Sequence, residues 1–251
     1  MADDLVEQFE PVSLEELDER AALLRRVDHK YAVQREAFVG LLERLRDDHQ
    51  VLQIDGRRRF GYCSTYFDTP DLRCFVDHVK SRQPRFKART RLYVDSDSCV
   101  FEVKLKGEDG ETDKRQVEHP VAEANRLTDS ARQCLGEALR DAGLEAPERM
   151  DPTLLTRFER ITLAAREGSA RLTCDVGVRL ARPDGEAAYL HDGLILVETK
   201  SQDGESPADR ALAELGLEPM SLSKYRVGMS LVGGAEDAPQ PGSELFERAA
   251  G

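Results

Sequence analysis

RFKARTRLYVDSDSCVFEVKLK, residues Arg85 to Lys106, holds two runs of alternating residues joined by a short polar turn. On an extended strand successive side chains point to opposite faces. Lys87, Arg89 and Arg91 therefore share one face, and Phe86, Ala88 and Thr90 the other. The second run repeats the device, with Glu102, Lys104 and Lys106 on one face and Phe101, Val103 and Leu105 on the other. Neighbouring like charges repel unless an anion or a facing carboxylate relieves them, which makes the charged face a candidate anion site. The plain alternative is a surface strand whose long cationic side chains lie over apolar neighbours and keep their heads in water.

The pattern recurs. In Arg171-Leu-Thr-Cys-Asp175 the residues Arg171, Thr173 and Asp175 share a face, and in Val197-Glu-Thr-Lys200 so do Glu198 and Lys200. Several strands with charges on one side and Val, Leu, Ile, Phe or Ala on the other suggest a sheet closed on itself around a charged lumen.

A chain of 251 residues suffices for one large β-rich domain or two small ones. No composition break forces a division, so one main domain is expected. With 40% hydrophobic and 33% charged residues the composition is that of a soluble globular protein. No run approaches the roughly 20 apolar residues of a membrane helix. Met1-Ala-Asp-Asp4 lacks the basic and apolar regions of a signal peptide, so a cytoplasmic location is expected. The five cysteines, Cys63, Cys74, Cys99, Cys134 and Cys174, are scattered without a CxxC pair, which favours reduced thiols over disulfides or zinc. A net charge of -12 argues against broad nucleic-acid binding. The acidic residues gather in expected helices and loops and the basic ones in strands, so an acidic protein can hold a basic interior for a small or thin anion.

Along the chain, Ser13-Leu-Glu-Glu16 forms a capping box that opens a helix reaching about Arg25. Arg26 to Val33 reads as a strand. Arg35 to Asp48 reads as a helix with Phe38, Leu41, Leu42 and Leu45 as its apolar stripe. Gln50 to Ile54 and Phe60 to Phe67 are expected to pair as a hairpin around Asp55-Gly56. Leu72 to Lys80 is ambiguous. A strand follows at Glu111 to Glu118, a helix at Glu123 to Ala142 and a linker at Pro147 to Pro152. Leu154 to Ala165, Ala170 to Leu180 and Tyr189 to Lys200 read as strands, the last interrupted at Asp192-Gly193. Helices are expected from Pro207 to Leu215 and around Val227, Met229 and Leu231. The Pro, Gly and Ala content beyond Gly233 predicts a disordered tail.

A lumen holding Lys87, Arg89, Arg91, Lys104, Lys106, Arg171 and Lys200, joined by Lys30 and Lys224, needs an anion of high charge density or local carboxylates. Arg forks match phosphate oxygens in two-point contacts, and Lys supplies point charge. A triphosphate or polyphosphate meets that need better than a carboxylate metabolite. Glu102, Asp175 and Glu198 are hard oxygen donors suited to Mg²⁺ or Mn²⁺, which bridges phosphate oxygens. The bland alternative pairs Glu102 with Lys104 and Glu198 with Lys200, and makes Asp175 a turn cap at a strand end. Tyr31, Tyr66, Tyr93 and Tyr225 read as wall or core residues. No Walker loop or GxGxxG is present, so phosphate would be held by side chains.

An ordered set of motifs from Arg26 to Val232 resembles one family. The set is Arg26-Val-Asp-His-Lys-Tyr31, Tyr66-Phe-Asp-Thr-Pro70, Lys87-Ala-Arg-Thr-Arg91, Phe101-Glu-Val-Lys104, Lys114-Arg115, Arg157-Phe-Glu-Arg160, Arg171-Leu-Thr-Cys-Asp175, Leu196-Val-Glu-Thr-Lys200 and Ser223-Lys-Tyr225. It is similar to the VTC (vacuolar transporter chaperone) or polyphosphate-polymerase domain, within the CYTH-like triphosphate tunnel metalloenzymes. The resemblance implies an α+β fold with a closed antiparallel eight-stranded β-barrel and flanking helices. It implies an N-terminal helix over 1–25, the tunnel domain over 26–232 and a flexible tail over 233–251.

By motif, the resemblance implies that Arg26, Lys30, Arg89, Arg91, Lys104, Lys114, Arg160, Arg171, Lys200 and Lys224 contact phosphate. Glu198 becomes the best metal ligand, with Glu102 and Asp175 as helpers and Mn²⁺ or Mg²⁺ as cofactor. The implied reaction moves the γ-phosphate of ATP onto a growing polyphosphate chain, with ADP released. Neither the phosphate-sensing SPX domain of eukaryotic relatives nor their membrane subunits are expected in this stretch, so a membrane partner would be a separate chain. Ser221 stands near Lys224 where some relatives carry a further cation. The alternatives are a tunnel triphosphatase and a non-catalytic module that binds polyphosphate or nucleotide.

Overall fold

The computed structural model describes residues 2–21, 27–107, 111–233 and 240–249. Helix α1 (Ala2–Val6) and strand β1 (Glu10–Val12) lead to α2 (Leu14–Ala21). The predicted capping box forms: Ser13 Oγ accepts from the Glu16 N–H at 3.2 Å, and Glu16 Oε2 accepts from the Ser13 N–H at 3.0 Å. The expected end of this helix, and Arg26, lie outside the described residues. Next come β2 (Val27–Gln34), α3 (Arg35–Leu45), β3 (His49–Leu52) and β4 (Phe60–Asp68). The ambiguous stretch is α4 (Arg73–Val79), followed by β5 (Arg85–Tyr93), β6 (Ser98–Lys106) and β7 (Thr112–His119). Helix α5 (Asp129–Asp141) starts later than its composition suggests, because Thr128 Oγ1 caps it by accepting from the Ala131 N–H at 3.3 Å.

The expected linker at Pro147 to Pro152 already enters β8 (Asp151–Ala165), which precedes β9 (Arg171–Ala181), β10 (Ala187–Leu190) and β11 (Leu194–Ser201). Helices α6 (Pro207–Glu214) and α7 (Lys224–Leu231) are each capped by a serine, Ser206 and Ser223. The tail expectation is corrected for residues 240–249. They hold a short strand, β12 (Phe246–Arg248), with Phe246 buried and the Ala249 N–H donating to the Ala187 carbonyl at 2.8 Å. A single apolar anchor in a Pro- and Gly-rich stretch is enough to dock it, and composition does not reveal that.

Two compact units make up the chain. The first comprises Met1–Phe60, Phe158–Val178 and Leu190–Leu222. In it β11 pairs antiparallel with β2 and β9, which sets Tyr31 opposite Val197, Val33 opposite Ile195 and Val197 opposite Cys174. Those residues form the inner face and pack against Phe38, Leu41, Leu42 and Leu45 of α3 and Ala208 and Leu212 of α6. Full burial of such a side chain contributes about 1.5–3 kcal/mol. Asp209 fastens α6 to the sheet, accepting from Tyr31 Oη at 3.1 Å and from Thr199 Oγ1.

The expected Gln50–Phe67 hairpin is not formed. The turn is right, with Asp55 at φ 48° and Gly56 at φ 77° and a bridge between Ile54 and Arg57. However, β3 pairs parallel with β1 and antiparallel with β8. His49, Val51 and Leu52 are all buried, so packing, and not the turn, selects the partners of β3.

The second unit comprises Gly61–Arg157, Arg179–Tyr189 and Ser223–Gly251. Its centre is the antiparallel meander β4-β5-β6-β7. The alternation read from the sequence holds here. Phe86, Ala88, Thr90, Phe101, Val103 and Leu105 are buried on one face, beneath helices that include α4 and α5. Gly228 of α7 lies so close to Leu154 that a Cβ there would meet its Cδ2 at 2.6 Å.

The strands belong to a large, mainly antiparallel sheet of twelve strands. The sheet is not closed: β7 has β6 as its one neighbour among the described residues, and β2 has β11. The expected eight-stranded barrel is therefore corrected to an open α+β sheet. Alternation tells which face of a strand is charged, but it carries no information on which strands meet across a seam.

Burial pulls the pKa of His49, at 1% exposure, from 6.5 to about 4. As pH falls below about 6.5 the unfolded chain takes up this proton before the folded one. Folding stability should therefore decline by about 3 kcal/mol between pH ~6.5 and ~4. Urea unfolding of the wild type and His49→Asn should show this slope in the former and a shallower one in the latter.

Candidate functional site

In the second unit the register aligns the expected cations into rows. Lys87 stands opposite Lys104, which stands opposite Lys114, and Arg85 stands opposite Lys106. The next row is Tyr66, Arg89, Glu102 and Gln116. This fixes the face of Lys114, which the sequence left open: its Nζ lies 3.1 Å from Glu102 Oε1. Arg89 holds the other oxygen, with Nε at 2.7 Å and Nη2 at 2.6 Å from Glu102 Oε2, and Arg91 Nε lies at 3.9 Å. Burial alone would raise the Glu102 carboxyl, but Arg89, Arg91 and Lys114 outweigh it and bring it down to about 2. The carboxylate pairs with Arg89 and Lys114, not with Lys104 as its spacing suggested. Lys224 begins α7.

The first unit carries a second charged face. Glu198 of β11 stands opposite Lys30 of β2 and Thr173 of β9, and Lys200 stands opposite Asp28 and Arg171. Glu198 Oε1 lies 3.3 Å from Lys30 Nζ, and its Oε2 accepts from Lys200 Nζ. Burial opposes ionisation of Glu198, yet Lys200 and Lys30 hold its carboxyl well below the usual range. Lys200 is itself buried, and burial lowers its ammonium to about 8 against the pull of Glu198. Asp175 is no turn cap: it sits within β9 and takes both arms of Arg160, Nε to Oδ1 at 2.6 Å and Nη2 to Oδ2 at 2.8 Å. Lys30, Arg160, Arg171, Asp175, Glu198 and Lys200 thus belong to this unit, and Lys87, Arg89, Arg91, Glu102, Lys104, Lys106, Lys114 and Lys224 to the other.

Each candidate metal carboxylate is engaged by cations. Among the described residues, no group of three or more His, Cys, Asp or Glu side chains converges as a metal cage. Glu198 and Asp175 are hard oxygen donors, and in this structure their oxygens are taken by Lys30, Lys200 and Arg160.

Sequence reasoning missed Tyr66 and Asp28. Tyr66 receives a hydrogen bond from Arg89 Nη1 at 2.8 Å. Its partner strand is β5, and the mistaken hairpin hid that neighbour.

Fold and charge define a class: an open, mainly antiparallel sheet that carries a face rich in cations in each unit. The chain belongs to the VTC domain family, whose pattern matches residues 25–232. Among curated proteins none matches the sequence. Among solved structures, HpAC1 from Hippeastrum, a proposed adenylyl cyclase with a dominant triphosphatase activity, is similar at TM-score 0.56 and 16% identity. The match covers 82% of this chain and 96% of that one. A proposed adenylate cyclase from Vibrio parahaemolyticus matches at TM-score 0.47 and 16% identity, over 82% of this chain and 98% of that one. At 16% identity the likeness to HpAC1 bears on the fold alone.

Glu102→Gln removes the charge that three cations share and should cost about 3 kcal/mol of stability. Tripolyphosphate, measured by thermal melting, should raise the melting temperature of this variant more than that of the wild type, because an added anion replaces the lost carboxylate. As a carboxyl lowered from 4.5 to about 2, Glu102 stabilises the wild type above pH ~4.5, and that contribution fades as pH falls toward ~2.

Proposed function

We propose that this chain is a metal-dependent polyphosphate polymerase, which moves the γ-phosphate of ATP onto inorganic polyphosphate. The observation that carries this reading is the length of the basic face. Arg85, Lys87, Arg89 and Arg91 share one side of β5 over ~20 Å, and Lys104, Lys106 and Lys114 flank them. That run is longer than a triphosphate and suits a chain of phosphates. Membership of the VTC domain family supports the same reading.

In this reaction a terminal oxygen of the polyphosphate chain forms a bond to the γ-phosphorus of ATP. The bond from that phosphorus to the β,γ-bridging oxygen breaks, and ADP leaves with the electron pair. The protein's residues position and neutralise. On the second unit Arg89 and Arg91 present guanidinium donors to phosphoryl oxygens, and Lys87, Lys104 and Lys114 supply charge along the polymer; on the first unit, taken by itself, Arg171 and Lys200 offer cations to phosphate. No covalent nucleophile is required. A divalent ion, were Glu198 and Asp175 to hold one, would neutralise phosphate charge at the first unit's own face. The working location is the cytoplasm, with any membrane partner on a separate chain.

A second reading, hydrolysis of a triphosphate, is favoured by the fold similarity to HpAC1, for which triphosphatase activity is described. Incubation with ATP and Mn²⁺, resolving ADP, free phosphate and polymer together, separates the two. ADP with long-chain polymer is the expected result. Free phosphate without polymer would establish the hydrolase, and neither product would leave a binding module. Arg91→Ala should lower polymer yield at least tenfold.

A further inference from the structure

Tyr66 lies on the basic face of the second unit with its hydroxyl among cations. Its Oη accepts from Arg89 Nη1 at 2.8 Å, and the Arg89 guanidinium carbon stands 5.6 Å from its ring centre. Among the described residues its own proton has no protein acceptor. A phenol whose oxygen faces cations points its proton away from them, toward the place an anion would take. Burial raises the Tyr66 phenol, and Arg89, Arg91 and Lys224 more than offset this, leaving it below its ordinary value.

The ring is held from behind. Tyr225 stacks on Tyr66 with centroids 4.9 Å apart and planes at 25°, and meets Phe75 edge-on. The Tyr225 hydroxyl donates to Asp68 Oδ2. Asp68 is fully buried and also accepts the N–H groups of Thr69 and Cys74 at 2.8 Å and of Phe75 at 3.0 Å, which pins it to the start of α4. A saturated carboxylate thus fixes one tyrosine, and that tyrosine fixes the ring of the next.

Resting on the phosphoryl-transfer reading above, we propose that Tyr66 contacts substrate: its hydroxyl accepts from Arg89 and donates to a phosphoryl oxygen, while Tyr225, bonded to Asp68, backs its ring by packing alone. The sequence marks neither role, since an aromatic residue on an alternating strand reads as wall.

The test compares wild type, Tyr66→Phe and Tyr225→Phe by calorimetric titration with tripolyphosphate, with thermal melts in parallel. Tyr66→Phe keeps the stack and loses only the donor, so its affinity should fall about ten- to hundredfold with the melting temperature nearly unchanged. Tyr225→Phe leaves Asp68 short of a donor but keeps the Tyr66 hydroxyl, so it should lose stability and hold affinity within about threefold. Wild-type affinity in Tyr66→Phe, or a loss that merely follows its melting temperature as Tyr225→Phe would show, overturns the proposal while leaving the phosphate site standing. Failure of the wild type to bind tripolyphosphate overturns both the proposal and the reading it rests on.

Discussion

The pairing of Arg89 with the buried Glu102 is the contact around which the basic face of the second unit is arranged. One carboxylate, at 3% exposure, meets Arg89, Arg91 and Lys114. Removing one member of a buried pair leaves an uncompensated charge, whereas the complete set is tolerated. Around this node the register places lysine against lysine, Lys87 opposite Lys104 and Lys104 opposite Lys114. Cations outnumber carboxylates on this face, where Arg85, Lys87, Arg89, Arg91, Lys104, Lys106 and Lys114 stand with Glu102 and Glu118.

The first unit solves the same problem differently. Glu198 divides its oxygens between Lys30 and Lys200, and Asp175 takes Arg160 in a two-point fork. These carboxylates fix the positions of Lys30, Lys200 and Arg160. They are also the hard donors that a divalent ion carried by phosphate would meet. Glu102 on one face, and Glu198 and Asp175 on the other, are all held in ion pairs.

Much of this was legible in the sequence. Two-residue spacing assigned the charged and apolar faces of β5 and β6 correctly, because burial on one side leaves only one phase for the pattern. Capping chemistry located the start of α2, and Pro207 marked that of α6. What spacing does not carry is partner choice. The Asp55-Gly56 turn formed, yet β3 took β1 and β8 as neighbours, and the loss of the expected hairpin concealed that Tyr66 stands beside Arg89. The same gap explains the barrel: nothing in an alternating strand specifies closure, and the sheet is open. It explains the carboxylates as well, since Glu102 found its partners across strands and not two residues along. Phosphate contacts at Lys30 and Arg160 rested on family resemblance alone; the structure sets each against a carboxylate of the first unit's charged face.

The central claim is that the long basic face is matched to a chain of phosphates. Its most direct test is the affinity of the purified protein for linear phosphates of increasing length, from pyrophosphate to chains well beyond tripolyphosphate, by calorimetric titration at fixed ionic strength. Affinity per chain should keep rising past three phosphates before it levels off. A plateau already at tripolyphosphate, or binding no tighter than that of sulfate, would contradict it.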